Sequence, residues 1–249
     1  VFPHTLILMN NSQFPYHGEE LSRTIVDDSY TVLVRQSVTR AFVWMTLGLA
    51  ITGLTALFVA DSNLIAVLFS SSFAFWILII AELVLVWYLS SHIMELSMPM
   101  ATAAFAVYSL LNGVTLSPIF LVNTGESIAS TFFITAGTFA AMAIFGYTTK
   151  RDLSSMGSYL MMALIGLIIA SLVNMFVGSS LLMWVVSYLG VLIFVGLTAY
   201  DTQRIKEMIA QSIGEEEQTK KVALLGALNL YLDFINLFLY LLRLFGRRD

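Results

Sequence analysis

The sequence predicts an all-α, polytopic membrane protein of seven transmembrane helices, with the last helix central in the bundle. Three observations carry that prediction. Residues 41–149 contain neither Lys nor Arg; a soluble surface needs interspersed charge to stay solvated, whereas a cation at mid-membrane is costly unless paired or hydrated. Of 249 residues, 58% are hydrophobic and 11% charged, against about 25% charged in a soluble domain. Finally, apolar runs of about twenty residues, enough for one helical span, recur along the chain between turn-forming residues.

Residues 1–40 read as a polar, cytoplasmic N-terminal tail, with an amphipathic helix near 30–40 leading into the first span. Residues 41–249 read as one transmembrane helical domain. The apolar run Leu6 to Met9 is too short for a secretory h-region and has no basic n-region. Spans are expected near 41–60, 73–91, 100–122, 128–147, 157–178, 181–200 and 223–245. Asp61-Ser62-Asn63, Ser97-Met98-Pro99, Asn123 to Glu126, Thr148 to Ser155 and Gly178-Ser179-Ser180 separate them. The longest connection is expected at 202–222, holding the acidic run Glu215-Glu216-Glu217. No internal repeat is evident, so an inverted-repeat transporter is not supported.

Orientation follows from the cations. Arg23, Arg35 and Arg40 precede the first span, Lys150 and Arg151 follow the fourth, and Arg204, Lys206, Lys220 and Lys221 follow the sixth. With seven crossings these share a side, and Arg243, Arg247 and Arg248 lie opposite. The positive-inside rule then makes the N-terminus cytoplasmic. A re-entrant last segment would put all twelve cations on one side; seven crossings are preferred because 223–245 is long enough to span.

Composition also excludes. A net charge of −4 offers no basic patch for nucleic acid. The absence of cysteine removes disulfides, thiolate metal sites and Cys nucleophiles together. The twelve Met residues read as adaptable apolar filler.

Function must then be sought in the polar groups inside the lipid. Glu82, Asp201 and Asp233 lie within or at the edge of expected spans, and intramembrane carboxyls are functional candidates by default. Gly226, Asn229, Asp233, Asn236, Tyr240 and Arg243 recur at helical spacing and form one stripe, which must face protein or water. That stripe makes the seventh span central. Asn beside a carboxyl supplies neutral oxygens suited to a hard cation, and equally serves as interhelical glue. Spans six and seven are antiparallel neighbours, so Asp201, expected where span six meets the cytoplasm, and Asp233 can approach each other. Two carboxyls sharing a site titrate as a unit; such a pair is a proton sensor and, once deprotonated, a divalent-cation site.

Tyr108, Asn112 and Thr115 share a face of span three, which Pro118 breaks or kinks, and Ser171 and Asn174 are expected to bond between helices. Glu82 stands alone among aliphatic residues and reads as neutral unless a cavity or the aspartates reach it. His92 ends the second span as an interfacial residue able to titrate near neutrality.

The stretch Leu230-Tyr231-Leu232-Asp233-Phe234-Ile235-Asn236-Leu237-Phe238, continued by Leu241-Leu242-Arg243-Leu244-Phe245-Gly246, resembles the signature of the Bax-inhibitor family, the transmembrane BAX inhibitor motif proteins. Val195 to Gln203 is similar to that family's sixth helix, and Phe145 to Ser154 to its bacterial branch. The resemblance covers about residues 30–248. It implies seven helices with the last central, location in the bacterial inner membrane, and a pH-sensitive calcium leak or calcium/proton exchange. It also implies an aspartyl sensor at Asp201 and Asp233 and an acidic second helix at Glu82. One element departs: family members with a characterised latch carry an Arg near the cytoplasmic end of helix two. This chain has none there, and His92 is the nearest candidate.

No enzyme activity and no cofactor are expected; calcium and protons are the expected ions and the lipid bilayer the expected surroundings. A second reading is a regulator that binds a membrane-bound, ATP-dependent protease through residues 1–40. A remote third is an intramembrane aspartyl protease, whose Gly-x-Gly-Asp is here Leu230-Tyr231-Leu232-Asp233 and whose Pro-Ala-Leu segment is missing.

Overall fold

A computed structural model describes residues 16–70 and 72–247, with side chains from 28 onward except 67–69 and 72. Most of the expected N-terminal tail therefore lies outside the residues whose side chains are described. Nine helices occur among the described residues: α1 (Tyr16–Ala60), α2 (Leu64–Phe69), α3 (Ser72–His92), α4 (Met98–Leu116), α5 (Ile119–Val122), α6 (Gly125–Thr148), α7 (Ser154–Val177), α8 (Ser180–Ser212) and α9 (Glu216–Phe245). Seven stretches are long and apolar enough to cross a membrane, α4 and α5 together making one of them. The protein is an all-α, multi-pass membrane protein.

Local chemistry sets the helix ends. Thr124 and Ser179 cap α6 and α8 by accepting from the amides of Ser127 and Leu182. Gly178 closes α7 at φ 66°, a left-handed conformation that glycine adopts without Cβ strain. Pro118 separates α4 from α5, as its missing N–H demands. Within the helices, the hydroxyls of Thr46, Thr135, Ser187, Thr198 and Thr202 bond the carbonyl four residues back, which satisfies them without water. Ser171 does the same, and Asn174 accepts from the Ser179 amide. These two serve their own helix and its turn instead of the interhelical bonds expected of them.

The first span and the sixth-to-seventh connection differ from the sequence reading. No break precedes residue 41: α1 is continuous from Tyr16, and its membrane-competent part begins at Asp28. Asp201 does not end its helix either. α8 runs on to Ser212, so the 202–222 loop shrinks to Ile213, Gly214 and Glu215, with Gly214 at φ 118°. Residues 202–212 are polar enough to look like a loop. They are good helix formers, however, and the fully buried Ile205 and Ile209, four residues apart, anchor them to the core.

α9 is the hub. It packs against α8, α1, α6, α4 and, at the margin, α3, and 67% of its most apolar stretch is buried against 6–39% for the other spans. α7 packs on α8 and exposes large residues such as Phe176 and Ile169, the expected face toward acyl chains. Glycines permit the closest approaches: a Cβ on Gly146 would stand 2.1 Å from the Ala199 carbonyl oxygen, joining α6 to α8 nearly backbone to backbone.

α9 also crosses from end to end. Lys221, near its start, donates to the Met94 carbonyl just past α3. At its finish the Arg247 carbonyl accepts from the Thr124 amide, and the Arg247 amide donates to Ser127 Oγ at the start of α6. Where α6 ends, Lys206 of α8 bonds the Tyr147 carbonyl. Lys150, Arg151, Lys206, Lys220 and Lys221 thus share one end of the bundle, and Arg247 occupies the other.

Candidate functional site: a carboxyl pair on the central helix

Helices α8 and α9 pack in one antiparallel register. Ser212 meets Thr219, Ile205 lies against Gly226, and Gly190 against Tyr240. That register puts Asp201 level with Leu230, three residues or about 4.5 Å short of Asp233 along α9. Glycine at 226 and 190 lets the helices close in, and the two carboxyl groups span the offset and stand within reach of a hydrogen bond between them. Such a bond requires a proton, since two ionised carboxylates only repel. Asp233 is 4% exposed and Asp201 half-buried. Asp233 lies twelve residues, about 18 Å, beyond Lys221, close to the middle of a hydrocarbon core about 30 Å thick.

The surroundings are sparing with partners. Asp233 Oδ2 is buried and unbonded among the described residues. Thr198 and Thr202, beside Asp201, spend their hydroxyl protons on their own helix. Arg204, one turn along α8, adds a favourable charge to Asp201. Asn229 is half-buried on the same stripe, level with Thr202 by register, while the Asn236 amide donates to the Leu232 carbonyl at 2.8 Å. Among the described residues no three His, Asp or Glu side chains gather into a metal cluster. Calcium takes six to eight oxygens and the pair offers about four, so water or main-chain oxygens would complete a passing ion's shell.

The remaining polar candidates form a separate cluster. Tyr231 is two residues from Asp233 and hence on the opposite side of α9. It is fully buried, its hydroxyl 2.6 Å from Thr52 Oγ1, its ring edge-on to Phe105 and Tyr108. Tyr108 and Asn112 lie one turn apart on α4 and both are buried, and Thr115 donates to Glu82 across the α3–α4 seam. Glu82 and Asn112 therefore belong to this cluster and not to the aspartates. His92 stacks on Tyr88 at 5.0 Å and meets Trp87 edge-on, with its Nδ1 buried and unbonded among the described residues.

Sequence reasoning passed over Tyr231, Thr52, Gln203 and Lys206. Gln203 holds the α6–α7 connection in two places, accepting from the Leu153 amide and donating to the Arg151 carbonyl, both at 2.9 Å. Lys206 sits 4.7 Å over the Tyr147 ring. Gln203 is two residues from Asp201, and that proximity was the available signal.

Fold and site define a class: a multi-pass helical membrane protein with a carboxyl pair buried against its central helix. Residues 34–249 match the family described as inhibitor of apoptosis-promoting Bax1, and the chain belongs to the Bax-inhibitor family. It is 54% identical over 207 residues to the inner membrane protein YbhL of Escherichia coli, covering 82% of this chain and 88% of that protein. A Borreliella burgdorferi protein is 46% identical over 226 residues, covering 90% of this chain and 97% of its own length. A Rickettsia prowazekii protein is 41% identical over 233 residues, covering 93% and 98%.

Proposed function

We propose that the protein is a pH-sensitive, calcium-permeable leak channel of the bacterial inner membrane, with Asp201 and Asp233 as its proton and cation sensor. The observation that carries this reading is the close approach of the two carboxyls at the α8–α9 contact, within reach of a shared proton, with one oxygen of Asp233 left over. While a proton is shared, the pair ties the two helices together. When it leaves, two negative charges face each other in a low-dielectric core, which favours separation of α8 from α9 and creates a site that attracts a divalent cation. The pair acts as a switch and not as catalytic acid and base, so no enzyme activity is assigned and no cofactor is required. With the basic end facing the cytoplasm, calcium would be drawn toward the carboxyls by the membrane potential.

The test is calcium flux into liposomes containing purified protein, at several pH values, for the wild type and Asp233→Asn. A pH-dependent flux that the substitution abolishes supports the reading. Liposomes no leakier than protein-free ones at every pH would overturn it.

A further inference from the structure

Helices α1 and α6 both pack on α9 and barely touch each other. The gap between them is an apolar cavity of about 520 Å³, walled by Val38, Phe42 and Met45 on one side and Ala136 and Ala140 on the other, with Phe234 as its floor. It ends at Arg35 and Tyr147, the basic end of the bundle. Arg35 also lines a second, more open recess of about 440 Å³ with Val32, Gln36, Thr39 and Arg40. The Arg35 guanidinium thus stands at the end of the apolar slot, with a second guanidinium, that of Arg40, beside it. Arg35 is exposed, and among the described residues no carboxylate forms an ion pair with it.

We propose that this slot binds one acyl chain of an anionic phospholipid, whose phosphate rests on Arg35. Dimensions decide the occupant. The slot follows α1 from Arg35 to Leu49, fourteen residues or about 21 Å. Even all the empty space of the slot, about 1150 Å³ including its open side, is less than the roughly 1650 Å³ that a helix about 10 Å across would fill over that length, so a second copy of this chain does not fit by inserting a helix. A single polymethylene chain does. Charge decides the headgroup. Basic pockets between helices select anionic lipids, and here Lys206, behind Tyr147, adds to the positive field of Arg35. The run of Ala136, Ala140 and Ala143 on α6 keeps the slot open where larger side chains would fill it. Phe234, the floor, follows Asp233 directly in the chain, so the bound tail abuts the helix that carries the carboxyl pair.

The experiment uses delipidated full-length protein in detergent, titrated with phosphatidylglycerol or phosphatidylcholine of identical acyl chains, and counts bound lipid by native mass spectrometry. Phosphatidylglycerol is expected to be retained about fivefold better, the effect of one basic residue at the surface. Arg35→Gln should bring the two lipids to parity while still holding both. Ala140→Phe, at a position exposed to the slot, should lose both; Ala136→Leu replaces it if thermal unfolding shows that variant misfolded. Equal retention of the two lipids by the wild type would mean an unspecific boundary lipid and overturn the proposal. So would unchanged lipid stoichiometry in the slot-filled variants, or lipid-free dimers that those variants abolish.

Discussion

Lys221 reaches from the first turns of α9 to the Met94 main-chain carbonyl at 3.1 Å, while its partner Glu217 lies 3.0 Å away. The basic group that secures the end of α3 thus comes from the central helix.

Replacing Lys221 by Met should free that end of α3. Loss of a charged hydrogen bond is worth about 1.5–3 kcal/mol, and the effect should be local. Hydrogen exchange at the amides of Glu95 and Leu96, both bonded to the His92 carbonyl, should speed up, with Lys221→Arg close to wild type. Unchanged exchange would make the contact incidental.

Under the proposed function, the carboxyl pair sets the pH response. Because the hydrogen-bonded arrangement needs a proton, flux should rise as the pH rises, by at most about tenfold per unit for one titrating proton. Asp201→Asn and Asp233→Asn each supply a permanent amide donor to the surviving carboxyl, so each should give low, flat flux. The double variant should add little to either. A wild-type pH profile in both single variants would make the aspartates structural.

Asp152 offers a contrasting, fully exposed case. Hydrogen bonds from Ser154, one of them from its amide at 2.8 Å, hold the carboxyl below the usual aspartate range. A depressed folded pKa stabilises the start of α7 at every pH above the unfolded value of about 3.9; this support disappears as pH falls through the lower folded value. Asp152→Ala should therefore speed hydrogen exchange at Ser154 near neutral pH and make no difference in strong acid.

Gly146 tests the packing. Gly146→Ala drives a Cβ into the Ala199 carbonyl, and a main-chain atom cannot rotate away, so a loss of about 1–3 kcal/mol is expected. Gly53→Ala meets nothing within 4 Å and should be neutral or stabilising by up to about 1 kcal/mol. Thermal unfolding in detergent separates the two.

Topology is testable because the chain has no cysteine. Glu215→Cys, in the α8–α9 turn, should react with impermeant maleimide only from the cytoplasmic side, and Glu126→Cys, at the start of α6, only from the other. The reverse pattern would invert the protein and the assigned direction of leak.

The spans were legible because lipid enforces a simple rule: about twenty apolar residues, then a turn. The central place of α9 was legible for a related reason, since the stripe through Asp233 and Asn236 has no business facing acyl chains. The pairing of Asp201 with Asp233 followed from adjacency of two antiparallel helices. The α8–α9 hairpin was not legible, because polar helices outside the lipid carry no such signature; Ile205 and Ile209 are too few to announce one. Nor was the Tyr231–Thr52 contact, which joins residues 179 apart in the chain and depends on how α1 leans against α9. Ser171 and Asn174 misled because a hydroxyl or amide in a span bonds its own helix as readily as a neighbour's.

Asp201 lies inside an unbroken helix, with eleven further residues before α8 stops at Ser212. A rigid rod makes that stretch a lever about 16 Å long. Any tilt of α8 that parts the carboxyls is enlarged at the tip, where Gly214 turns the chain. The same mechanics run backwards. A protein that grips the tip and resists its swing would withhold the proton's departure by an equal free energy, so acidity and a soluble partner would speak to the membrane interior through one shared coordinate.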